Sequence, residues 1–95
     1  MTTYINHFIG GSTAEGSSTR TAPVFNPATG VIQKEVRLGS AADIDTAVKA
    51  AAAAFPGWAD SSLAKRQAIL FAFRELLNAR KGELAEILTS EHGKV

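Results

Sequence analysis

An α+β fold is predicted by two changes of pattern along the sequence. Residues 1–38 carry short β-rich runs separated by glycine and proline turn signals. Residues 40–92 switch to apolar side chains at i, i+3 and i+4, the period of an amphipathic helix. At 95 residues the chain has room for one small domain at most. The 45% apolar content overstates the core, because 17 of those residues are Ala, which favours helix more than it drives collapse. A chain of this size buries roughly 60–65% of its unfolded surface at best, which leaves little once conformational entropy is subtracted. Independent folding is therefore not expected.

The first expected strand covers about residues 4–9, and Gly10-Gly11 turns it into a short strand at 12–14. Residues 15–19 read as a polar loop without packing value. A further strand at about 20–25 leads into Asn26-Pro27-Ala28-Thr29-Gly30, where Pro presets φ and Gly supplies a positive one. Residues 31–38 alternate imperfectly, as an edge or half-buried strand does. The helices are expected at about 41–55, 62–80 and 82–91. Ser40 with Asp43 resembles a capping box opening the first, and Pro56-Gly57 is expected to stop it. Ser61 or Ser62 caps the second, whose stripe is Ile69, Leu70, Phe73, Leu76 and Leu77. Gly82 is expected to interrupt it, with Arg80 and Lys81 at its favourable dipole end. Phe71 lies off that stripe, beside Ala64, Ala68 and Ala72, so the second helix is apolar on two sides. One helix covered on two sides needs more protein than 95 residues supply.

Several function classes fall away. Ten Lys and Arg against nine Asp and Glu give a net charge of +1, no field for nucleic acid or an anionic membrane. No Cys is present, so disulfides, thiolate metal sites and a Cys nucleophile are excluded within these residues. Residues 1–12 lack a basic start and a long apolar run, and no segment could span a bilayer, so a cytoplasmic location is expected. Gly93-Lys94 lacks the earlier Gly and the following Ser or Thr of a phosphate-binding loop and reads as a helix stop. Gly10-Gly11-Ser12 reads as a hairpin turn, His7 as structural, and Asp43 and Asp45 as acids at a helix N-terminus. Lys49, Lys65, Arg74 and Glu75 read as solvated, and Trp58 as a plug in the core. Glu91-His92 is the one adjacent titratable pair with possible site chemistry.

The run Pro23-Val24-Phe25-Asn26-Pro27-Ala28-Thr29-Gly30 resembles the N-terminal turn of the NAD(P)-dependent aldehyde dehydrogenase superfamily. The residues beyond that turn are similar in order: Asp43-Ile44-Asp45 opening an Ala-rich helix, Trp58, Arg66, Glu83-Leu84-Ala85 and Gly93-Lys94. Ala54-Phe55-Pro56-Gly57-Trp58, residues 70–77 and Thr89-Ser90-Glu91-His92-Gly93-Lys94 resemble its CoA-acylating methylmalonate-semialdehyde dehydrogenase branch. The resemblance runs from about Ile5 to Val95 and covers the opening fifth or so of a family member. It implies that residues 1–95 are an incomplete N-terminal segment of the family's α/β NAD-binding domain. The partners it implies are the remainder of the same polypeptide and, when complete, further copies in a homo-oligomer.

The same resemblance implies the activity of the whole: oxidation of methylmalonate or malonate semialdehyde. A thiohemiacetal on a Cys passes hydride to NAD, and CoA takes the acyl group with loss of CO2, giving propionyl-CoA or acetyl-CoA in valine or inositol breakdown. It places no catalytic residue and no NAD or CoA contact on this segment. A monovalent cation site is the one feature it carries over, through the carbonyls of Val24 and Phe25 and the carboxylate of Glu91. Oxygen donors of that kind suit a hard cation. The alternative is a stand-alone, non-catalytic binding or assembly module derived from the same family.

Overall fold

The computed structural model describes all 95 residues, Met1–Val95. Five strands precede three helices: β1 Tyr4–Ile5, β2 His7–Ile9, β3 Ser12–Ala14, β4 Thr21–Phe25, β5 Ile32–Arg37, α1 Ala41–Ala59, α2 Leu63–Ala79 and α3 Lys81–His92. The α+β expectation is borne out, with differences inside it.

β4 and β5 form the expected antiparallel hairpin, from Thr21 opposite Arg37 to Phe25 opposite Ile32, with a register shift between Val24 and Phe25. Its turn is built as the sequence implies. The Asn26 side chain accepts from Ala28 N at 2.9 Å, Gly30 N donates to Asn26 O at 2.8 Å, and Gly30 sits at φ +74°. Gly10 and Gly11, at φ 62° and 84°, close the β2–β3 hairpin.

The strand expected at 4–9 is split at Asn6. β1 runs parallel to β5, with Tyr4 opposite Glu35 and Ile5 opposite Val36, giving a three-stranded sheet in the order β1-β5-β4. β2 leaves it to pair with β3 alone. Contacts from the far end of β5 accompany the split: Asn6 Oδ1 accepts from Arg37 Nε at 2.7 Å, and the same guanidinium lies 4.4 Å above the Tyr4 ring. Arg37 thus holds the chain where it changes sheets.

Ser40 caps α1 with a complete capping box, Ser40 Oγ accepting from Asp43 N and Asp43 Oδ2 accepting from Ser40 N. Pro56 does not stop this helix, which continues to Ala59. Pro keeps a helical φ and removes a single bond, and the last turn is held by Asp60 N to Pro56 O at 3.0 Å and Ser61 Oγ to Gly57 O at 2.8 Å. Trp58 therefore lies inside α1 rather than beyond it. Ser62 caps α2, as expected. The break after α2 falls at Arg80, at φ −111°, and Gly82 lies within the first turn of α3. Arg80, the C-cap of α2, sits between the two helices and bonds Glu83 at the start of α3 through two contacts of 2.9 Å.

None of the 95 residues is fully buried. The exposed surface is 7434 Å²; a compact chain of this mass exposes about 5,200 Å². The radius of gyration is 17.1 Å, against about 12 Å for a compact domain of this length. α1 packs along β2, while Phe55, Leu70, Phe73 and Leu76 stay more than half exposed. The second apolar side of α2 is real: Phe71 is 48% exposed.

Two glycines give opposite expectations. A Cβ at Gly16 (φ +81°) would stand 2.7 Å from Asp43 Oδ2. Gly16→Ala should lower stability by about 1–3 kcal/mol. A Cβ at Gly82 meets nothing within 4 Å, so Gly82→Ala should raise stability by about 0.5–1 kcal/mol. Urea midpoints of the polypeptide carrying this segment decide both.

Candidate functional site

Two polar clusters fix the ends of the helical layer, and both bear on the residues singled out above. In the first, the C-terminal end of α3 rests on the β4–β5 hairpin. Gln33 Nε2 donates to Ser90 O at 2.7 Å, and Lys34 Nζ lies 3.2 Å from Glu91 Oε1 with both side chains about one-third exposed. Lys34 is also the register partner of Val24. The structure therefore places Val24 and Phe25 on one strand of this hairpin and Glu91 against the other, through Lys34. The donor set has the right chemistry for a hard cation, though a cation there would share the Glu91 carboxylate with the Lys34 ammonium. Nowhere do three His, Asp or Glu side chains converge as metal ligands.

Glu91 does not work with His92. Its carboxylate is turned to Lys34, and His92 is exposed in the last turn of α3. Gly93, at φ +83°, closes α3 in the left-handed conformation, and a Cβ there would meet Pro27 Cγ at 3.1 Å. Gly93-Lys94 is a helix stop seated over the Asn26–Gly30 turn, in keeping with the reading against a phosphate loop.

The second cluster was missed from sequence. Residues 15–19 are not idle: Ser17 N donates to Asp43 Oδ1 at 2.9 Å, and Ser17 Oγ lies 2.7 Å from Ser40 Oγ. The loop after β3 is thereby latched to the N-terminus of α1. His7 packs beside it, its ring within about 3.0 Å of where a Gly16 Cβ would be, and its Nε2 is shut off from solvent without a partner. Hydrogen bonds hold the Asp43 carboxyl below its ordinary pKa, the Ser40 backbone N–H contributing most and Ser17 next. Gly16 in a Ser-rich loop, with the Ser40–Asp43 capping pair further on, was the available signal. The pairing joins residues 26 apart, which periodicity cannot show. Asp45 ion-pairs with Lys49 at 2.9 Å and Arg74 with Glu75 at 3.4 Å, all on exposed surface as expected.

Trp58 and Phe71 border a groove between α1 and α2, so the expected core plug is instead one wall of an open surface. No helix is long and apolar enough to cross a membrane.

This arrangement of strands, turn and helices defines a class. Residues 13–95 match the aldehyde dehydrogenase family, and the chain belongs to that family. Within it, the likeness is to enzymes of semialdehydes. The chain is 43% identical over 93 residues to malonate-semialdehyde dehydrogenase 1 of Geobacillus kaustophilus, covering 98% of this chain and 19% of that protein. It is 41% identical over 90 residues to the malonate-semialdehyde dehydrogenase of Bacillus pumilus, covering 95% and 18%. A crystal structure from Sinorhizobium meliloti, complexed with NAD and named for methylmalonate-semialdehyde dehydrogenase, superimposes with a TM-score of 0.94 at 43% identity, covering 97% and 19%. The methylmalonate-semialdehyde dehydrogenase of Oceanimonas doudoroffii does so at 0.90 and 40%, covering 97% and 18%. The chain spans about a fifth of the length of these relatives.

The latch gives a pH prediction with a defined sign. A carboxyl whose folded pKa lies below the unfolded 3.8 stabilises above that value and loses its effect as pH falls through the folded value. Exchange of the Ser17 amide should therefore accelerate on acidification below pH 3.8. In Asp43→Asn it should be fast and insensitive to pH across that window beyond the intrinsic dependence of amide exchange. A Ser17 amide equally protected in both proteins above pH 3.8 would refute the latch.

Proposed function

We propose that residues 1–95 are the N-terminal scaffold segment of a CoA-acylating malonate- or methylmalonate-semialdehyde dehydrogenase that works with NAD. The observation that carries this reading is the uncovered surface. Three helices expose their apolar stripes in a chain spanning a fifth of the relatives it matches, so the remaining polypeptide is the natural cover. The segment supplies packing surfaces and placement. β1, β4 and β5 present a short sheet, the Asn26–Gly30 turn seats the end of α3, and α1 and α2 present apolar faces to the rest of the domain.

The nucleophile lies outside these residues, since no Cys is present among them. When bound, NAD takes up hydride from the substrate carbon, and CoA accepts the acyl group with loss of CO2. Nothing in residues 1–95 holds or moves a proton in that chemistry; their role is to position the elements that do. The monovalent cation at Val24, Phe25 and Glu91 belongs to the same proposal, with Lys34 as its competitor for the carboxylate. A homo-oligomer in the cytoplasm completes it.

The intact mass of the native gene product tests the reading first. A mass several-fold above 10.0 kDa, together with NAD reduction and acyl-CoA formation from malonate or methylmalonate semialdehyde, is expected. A native product of 10.0 kDa would contradict it. The 95-residue chain by itself should form no acyl-CoA with NAD, CoA and either semialdehyde.

A further inference from the structure

Arg66, near the start of α2, is half-buried, and its Nε is shut off from solvent with no hydrogen-bond partner. The other four arginines each reach an oxygen: Arg20 the carbonyl of Gly39, Arg37 Asn6 and Glu15, Arg74 Glu75, and Arg80 Glu83. Arg66 borders the groove of about 560 Å³ with Trp58, Leu63, Gln67, Leu70 and Phe71. A cation in an apolar wall with a dry, unmet donor is costly, and losing its remaining water on burial makes it more so unless an acceptor arrives. Carboxylate is the matching acceptor, because its two oxygens meet the planar fork of Nε and one Nη together.

We propose that this groove receives an apolar segment from outside residues 1–95 of the same longer polypeptide, and that the segment carries an Asp or Glu bound by Arg66. The proposal rests on the scaffold reading above for the existence of that polypeptide. Three observations select this occupant. The groove is apolar with a single cation on its wall, which favours an apolar segment bearing one acid. The surface exposed beyond that of a compact chain is roughly 2,200 Å², more than one side of a standard protein interface, about 800 Å². The similar proteins extend for about four-fifths of their length beyond what this chain matches. Arg66 is thus a positioning residue: it fixes which segment lies in the groove and in what register, without touching substrate.

The test is residue-resolved labelling of the protein at its native length. With phenylglyoxal, Arg74 should be modified and Arg66 protected. In Arg66→Met, carbodiimide coupling to glycine ethyl ester should modify one Asp or Glu outside residues 1–95 that the unmutated protein protects. Arg66 labelled as readily as Arg74, or an Arg66→Met protein with no newly reactive carboxylate, overturns the proposal. Should Arg66→Met fail to fold, phenylglyoxal labelling of the unmutated protein together with the carbodiimide reaction of Arg66→Lys decides it. Turnover of semialdehyde is scored separately. A protected Arg66 in a protein without that activity would sink the enzymatic assignment and keep the contact. A reactive Arg66 in an active enzyme would do the reverse.

Discussion

Apolar helix surface without a core beneath it is the constraint on which this structure turns. Fully burying a large aliphatic or aromatic side chain contributes about 1.5–3 kcal/mol relative to leaving it in water. Leu63, Leu70, Phe73 and Leu76 on α2 and Phe55 on α1 are each more than half exposed. Most of that contribution is unrealised within these residues. The architecture matches about a fifth of the length of semialdehyde dehydrogenases, which agrees with a partial piece of a larger fold.

Polar contacts hold the pieces in register without replacing a core. The Ser17–Ser40–Asp43 latch ties the β2–β3 hairpin to α1, and Gln33–Ser90 with Lys34–Glu91 ties β5 to α3. A partly exposed ion pair such as Lys34–Glu91 contributes about 0–1 kcal/mol. Such contacts are suited to specifying geometry, and apolar burial elsewhere must supply the stability. One cluster holds the N-terminus of α1 and the other the C-terminal end of α3, so both helices are tied to the strand region while α2 exposes apolar side chains. That division explains why the orphaned Arg66 and the Trp58–Phe71 groove occur on α2.

The features legible in the sequence were local. Ser40 and Ser62 as caps, Gly10-Gly11 and Asn26–Gly30 as turns, and Phe71 as a second apolar side all depend on neighbours within a few residues. The errors came from non-local or finely balanced effects. β1 pairs with β5 across 31 positions, as Tyr4 with Glu35, and alternation along residues 4–9 carries no trace of that partner. Pro56 falls in the last turn of α1, where its missing donor costs one bond rather than the helix. The α2–α3 break was set by the backbone of Arg80 and its grip on Glu83, and Gly82 drew attention because of its propensity alone. At the candidate site, Val24, Phe25 and Glu91 were visible only through family resemblance. Lys34 between them, the latch at Ser17 and the unmet donor of Arg66 needed three dimensions.

The most direct measurement is amide hydrogen exchange of the 95-residue chain prepared alone. A segment lacking its own core should exchange throughout α2 within the fast regime of locally open structure, with no set of amides protected to a common global free energy. A group of α2 amides sharing strong protection and one cooperative unfolding transition would show that these residues complete a core by themselves, and would contradict the account.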